Sequence, residues 1–154
     1  MIHVRDAQPG DAPHVVRLIT DLARADGENS PITERYVSQY LSASGSRLLV
    51  AEVEGQVVGL LSYSVRPNLY HAADSGLIEE LIVAEDRRGS GIGSALLAEA
   101  LRRLESTGCA EVSVSTMPDN DGAQRFYRSH GLIEEAVFLE KHFTHTTSYT
   151  LRGN

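Results

Sequence analysis

Leu77-Ile78-Glu79-Glu80-Leu81-Ile82-Val83, Ala84-Glu85-Asp86 and Arg87-Arg88-Gly89-Ser90-Gly91-Ile92-Gly93-Ser94-Ala95-Leu96-Leu97 follow one another without interruption. An apolar strand runs into a basic, glycine-rich turn, and the turn opens an amphipathic helix. Gly89, Gly91 and Gly93 keep side chains out of the way, so a phosphate can approach the main chain. The first N–H groups of a helix have no intrahelical partners, and the helix dipole adds partial positive charge there. Arg87 and Arg88 supply formal charge at the entrance. The stretch reads as a pyrophosphate cradle.

What the loop lacks narrows its ligand. A Walker A loop needs a Lys-Ser/Thr pair after its last glycine, and the chain's only lysine is Lys141. A dinucleotide fingerprint needs Gly-x-Gly-x-x-Gly. Counting from Gly89 or Gly91, the third glycine position holds Ser94 or Leu96. What stands instead is Arg88-x-x-Gly91-x-Gly93, directly after Leu81-Ile82-Val83. Glycine-rich turns of this kind also serve as plain tight connections, so a second signal is needed.

That signal follows. Glu111 to Thr116 alternates apolar and polar residues like a strand. After it come Asn120-Asp121-Gly122-Ala123-Gln124-Arg125-Phe126-Tyr127 and then His130-Gly131-Leu132. Together the two motifs, and the order of elements over essentially the whole chain, resemble the GNAT superfamily of N-acetyltransferases. The run Gln124-Arg125-Phe126-Tyr127 before a glycine stop resembles the compact bacterial enzymes that acetylate small amines.

Composition agrees with one ordinary globular domain over residues 1–154. Apolar residues make up 42% and charged residues 23% of 154, near the average for soluble domains. No apolar run approaches the roughly 20 residues needed to cross a bilayer, and the N-terminus lacks the apolar core of a signal peptide. One cysteine, Cys109, cannot form an intrachain disulfide and suits a reducing cytoplasm. It reads as a small hydrophobe where a strand begins. The net charge of −7 argues against nucleic acid and towards a cationic or neutral substrate. Arg102 and Arg103 read as a solvated helix face. A cytoplasmic protein without membrane or nucleic-acid partners is expected.

A pass along the chain gives a first strand at 2–6 and a helix from Pro9-Gly10-Asp11 to about Ala25. A second helix is expected at 33–43. A hairpin about Glu54-Gly55-Gln56 joins strands 47–53 and 57–65. Pro67 to Gly76 reads as a loop. The fourth strand, the cradle helix to Thr107-Gly108, the fifth strand and the Tyr127 helix follow. Residues 133–140 and 143–151 read as a closing strand pair, whose exposed edge would suit a homodimer. The resemblance implies an α/β fold with about seven strands in a mixed, mostly antiparallel sheet, a splayed fourth and fifth strand, and about four helices.

The resemblance also implies acetyl-CoA as cofactor and direct transfer of the acetyl group to a primary amine. The cofactor contacts it carries over are Leu81, Ile82, Val83, Arg87, Arg88, Gly89, Ser90, Gly91, Ile92, Gly93, Ser94, Asn120, Ala123 and Tyr127. The backbone of Leu81 and Val83 is expected to face the thioester arm. Tyr127 stands where relatives place a tyrosine near the cofactor sulfur, and a phenol is protonated at neutral pH. Phe126-Tyr127 could equally fill core and rim, and Asn-Asp-Gly is also an ordinary helix start. Glu79 and Glu80 are the candidate bases. As strand neighbours they are expected to point to opposite faces, and either could instead be structural.

Substrate residues are expected at 26–31, on the second helix, at 66–75 and on the last strands. Tyr36, Tyr40, Tyr70 and His71 are pocket candidates that could equally be packing or surface. His71 with Asp74 gives too few ligands for a metal site, and none is expected. The alternatives kept open are a protein N-terminus or lysine as acceptor, a longer acyl-CoA, and an acyl-CoA sensor without turnover.

Overall fold

The computed structural model describes residues 1–143. Five strands form one sheet in the order β1 (Ile2–Asp6), β2 (Ser46–Val53), β3 (Gln56–Asn68), β4 (Ala73–Val83) and β5 (Glu111–Val114). The first four pair antiparallel and β4–β5 is parallel. Helix α1 (Ala12–Ala25), led by a 3-10 turn at Pro9–Asp11, and α2 (Glu34–Ser42) cover one face of the sheet. Helix α3 (Ile92–Ser106) covers the other, and Phe126 and Tyr127 of α4 (Asp121–Ser129) pack on that side too.

The local chemistry explains most boundaries. Thr33 caps α2 by accepting the Tyr36 N–H at 3.1 Å. Val15 and Leu18 of α1 and Val37 of α2 bury against Val50, Leu60 and Ile82, the apolar stripe of an amphipathic helix on one sheet face. The β2–β3 hairpin turns at Glu54 and Gly55, both at positive φ (51° and 77°), as a two-residue primed turn requires. Arg102 and Arg103 pair with Glu99, and Arg103 also reaches Asp6 at 2.7 Å, so this basic pair pins the exposed side of α3.

Two expectations are corrected. Residues 67–76 are not a long loop: β3 runs to Asn68 and β4 begins at Ala73, with Pro67 opposite Asp74. Proline is tolerated there because this end of the strand is exposed. Among the described residues the sheet has five strands, not about seven. Residues 133–140 pair with nothing as a strand, and Val137, Phe138 and Leu139 are exposed. Apart from its first residue, the expected strand 143–151 lies outside the described residues. No helix of the described residues is long and apolar enough to cross a membrane.

Two glycines seat α3 on the sheet. A Cβ on Gly59 of β3 would lie 3.0 Å from Ile92 and 3.2 Å from Leu96. One on Gly76 of β4 would lie 2.7 Å from Leu104. The helix therefore packs close at both ends, which fixes where its N-terminus points.

Candidate active site

The site grows from an irregularity in β4. Ser62 pairs with Glu80, but its neighbour Tyr63 pairs with Ile78, so Glu79 is an extra residue opposite no partner. Such a bulge breaks side-chain alternation. Ile78 packs in the α3-side core, whereas Ile82, four residues on, packs in the α1-side core. In a regular strand both would share a face. The expectation that Glu79 and Glu80 point apart is thereby overturned: both line one cleft beneath α1 and α2.

That cleft has a volume of about 760 Å³. Val15 and Ile19 of α1, Tyr36, Val37 and Tyr40 of α2, and Leu48 and Leu60 of the sheet form much of its wall. Burial pushes the Glu80 carboxyl above the usual range; a hydrogen bond from Ser62 opposes this, and the Glu79 charge adds to it. The Ser62 hydroxyl donates to Glu80 Oε2 and accepts the Glu80 N–H at 3.0 Å. Tyr40 donates to the Arg47 carbonyl at 3.2 Å. Its phenol is pushed up to about 12, first by burial and then by Glu79 and Glu80. Of the four aromatic pocket candidates, Tyr36 and Tyr40 line the cleft. Tyr70 is exposed and His71 sits 3.3 Å from Glu111, both away from it.

On the other side of β4 the sheet opens. Strand β5 pairs only with Ser75–Ile78, so among the described residues that edge of β4 has no strand partner from Glu79 to Val83. The Ala84 N–H donates to Val58 at 2.8 Å and the Glu80 N–H to Ser62, both towards β3. Because N–H directions alternate along a strand, the Leu81 and Val83 groups face the gap. Ile82 does not: its backbone faces β3 and its side chain is buried.

The glycine-rich turn closes this gap at its end. Gly89 and Gly91 lie at φ 77° and 86°, and a Cβ on either would meet nothing within 4 Å. No side chain caps α3, whose N-cap is Gly91, so the first N–H groups, from Ile92 to Ser94, face outward for an anion. Ile92 offers only its backbone, since its side chain is buried. Arg88 Nε donates to the Val83 carbonyl at 3.3 Å, and Ser90 Oγ to the Arg87 carbonyl at 2.5 Å. Arg87 lies 3.8 Å from Asp86. Two open glycines, an uncapped helix and an unpaired strand edge fit a ligand carrying pyrophosphate and amides, as coenzyme A does.

Tyr127 is half-buried on the α3 side, in the same cluster as Leu81 and Val83, and burial raises its phenol. Asn120 caps α4 by accepting the Ala123 N–H at 3.0 Å, so its carbonyl oxygen is already engaged. Sequence reasoning missed Gly59, Gly76 and Ser62. The Gly59-Leu60-Leu61-Ser62 run on a strand hints at the first and last of them, and nothing near Gly76 does.

The family model described as the acetyltransferase (GNAT) family matches residues 15–132. The chain belongs to this family. It is an N-acetyltransferase, of a family that takes acetyl-CoA as acetyl donor. It is 29% identical over 143 residues to the aminoalkylphosphonate N-acetyltransferase of Salmonella typhimurium, covering 93% of this chain and 88% of that one. It is 27% identical over 150 residues to the L-2,4-diaminobutyric acid acetyltransferase of Nocardia farcinica, covering 90% and 74%. The crystal structure of a transcriptional regulator from Bacillus halodurans superposes with a TM-score of 0.83 at 28% identity, covering 93% and 100%.

Proposed function

We propose that this GNAT protein transfers an acetyl group from acetyl-CoA directly to the primary amine of a small molecule held in the α1–α2 cleft. The observation that carries the reading is the bulge at Glu79. It turns two carboxylates into the cleft on one face of β4, while the free edge of the same strand faces the cradle. Donor and acceptor sites thus adjoin across a single strand.

Acetyl-CoA, when bound, supplies an acetyl group activated as a thioester. The chain's residues do the rest. The α3 N–H groups and the basic turn hold the pyrophosphate. The Leu81 and Val83 amides donate to carbonyls in the gap and stabilise negative charge developing there. Glu80, with its pKa raised, suits a base that takes a proton from an ammonium near neutral pH, and Glu79 stands beside it to share that task or relay it through water. Tyr127, protonated at neutral pH, donates a proton to the departing thiolate. A cleft of this volume lies within the range usual for small-molecule sites, and the Salmonella and Nocardia relatives are named for small amines.

A thiol-release assay with acetyl-CoA tests the reading. The acceptors are polyamines, amino acids, aminoalkylphosphonates and aminoglycosides, with an N-terminal peptide alongside. Turnover of a small amine is expected. Turnover of the peptide alone would move the acceptor to protein. Calorimetric acetyl-CoA binding with no turnover would favour another acyl group or a sensor.

A further inference from the structure

The α1–α2 cleft carries both signs of charge. Glu79 and Glu80 stand at the β4 end, and Arg35 of α2 is the one cation among the residues lining the cleft. Its guanidinium makes no ion pair or hydrogen bond with any described residue. Arg5, Arg102, Arg103 and Arg128 are each held by a carboxylate; among the described residues Arg24, Arg66 and Arg125 are not, but none of these lines the cleft. In a chain with 21 acidic and 14 basic residues, an arginine left free beside a cleft has room for an incoming anion.

The spacing is set by the helix. Tyr40 lies within electrostatic reach of Glu79 and Glu80, and Arg35 precedes it by five residues, about 7.5 Å along α2 and about 140° around it, so the exposed arginine borders both this cleft and the groove beside Pro9 and Pro13. Apolar side chains, among them Val37 and Leu60, line the wall between. The Ser30 and Thr33 oxygens accept the Ile32 and Tyr36 N–H groups, so their hydroxyl hydrogens remain able to donate at the Arg35 end.

We propose that Arg35 anchors an acidic group of the acceptor, and that the preferred acceptor is a small molecule with a primary amine and an anionic group joined by a short apolar chain. This rests on the reading of the cleft as an amine site. The amine goes to the carboxylates, the anion to the guanidinium in a charge-assisted contact, and the chain spans the apolar wall. Carboxylate and phosphonate share the required chemistry.

The test compares matched acceptors in the thiol-release assay. ω-Amino carboxylates and ω-aminoalkylphosphonates of graded length are set against alkylamines and diamines of the same length. The wild type should favour acidic acceptors in kcat/KM by roughly tenfold or more at the best length. Arg35→Met should raise the KM for acidic acceptors roughly tenfold more than for alkylamines, and Arg35→Lys should recover part of the difference. The two acidic series show whether carboxylate or phosphonate is the better fit. Preference of the wild type for alkylamines or diamines would overturn the proposal, as would an equal loss for both classes in Arg35→Met. Turnover of the N-terminal peptide alone would instead remove the small-amine reading beneath it.

Discussion

Ser62 and Glu80 are joined twice across β3 and β4. The serine hydroxyl donates to the carboxylate while its oxygen accepts the Glu80 N–H at 3.0 Å. One bond fixes the side chain and the other the backbone at the bulge. The donor bond holds the Glu80 pKa down against burial and the Glu79 charge. Ser62→Ala should therefore move the acid limb of the kcat/KM profile to higher pH, and Ser62→Thr, which keeps a hydroxyl, should return it. An unmoved limb in Ser62→Ala would detach the limb from Glu80.

Glu80→Gln should lower turnover on the order of 100-fold or more, the usual scale for losing a general base. Its effect on stability has a definite sign. The folded-state pKa is raised, so the native chain holds the proton more tightly than the unfolded one. That contribution is present below the unfolded pKa and lost as pH rises through the folded one. Glutamine does not titrate, so the melting temperature of the variant relative to wild type should climb as pH rises above the ordinary carboxylate range and through the raised pKa. Thermal melts across that range check it; a constant difference would contradict the buried-carboxylate account.

Tyr127→Phe should reduce kcat by about 100-fold or more while leaving acetyl-CoA affinity within a few-fold, because it removes a proton donor and keeps the ring. Calorimetry and steady-state rates separate the two. Equal rates for the variant and wild type would assign Tyr127 to packing alone.

Gly91→Ala places a Cβ on a residue at φ 86°, a conformation costing an L-residue about 1–2 kcal/mol. The space around it is open, so strain and a reshaped turn are the expected effects rather than a clash. Coenzyme A affinity should fall, and acceptor KM should change less. An acceptor-only effect would argue against the turn as the pyrophosphate site.

Much of this was legible because local chemistry decides it. The glycine turn, the Thr33 and Asn120 helix starts and the Glu54-Gly55 hairpin follow from residues next to one another. The faces of Glu79 and Glu80 do not. They depend on how β3 and β4 register, and no residue in Ile78–Leu81 marks the bulge. The expected strand at 133–140 failed for a related reason: the apolar run Ala136–Leu139 suits a strand by composition, but pairing needs a partner elsewhere in the chain. Arg35 was passed over because a cation on an amphipathic helix reads as solvated until the cleft beside it is seen.

The extra residue at Glu79 acts on β4 as a frameshift acts on a message. Every side chain upstream of it obeys one parity and every side chain downstream the other. Substitution can alter what either carboxylate does, but deletion of Glu79 would close the ladder: Ile78 would stand next to Glu80, each still opposite its present partner, Tyr63 and Ser62. Leu81 and Ile82 would keep their faces, and the amides at the free edge would keep theirs. The strand would hold its pocket wall and its donor edge and lose one charge from the cleft, so a single inserted residue is what doubles the carboxylates there.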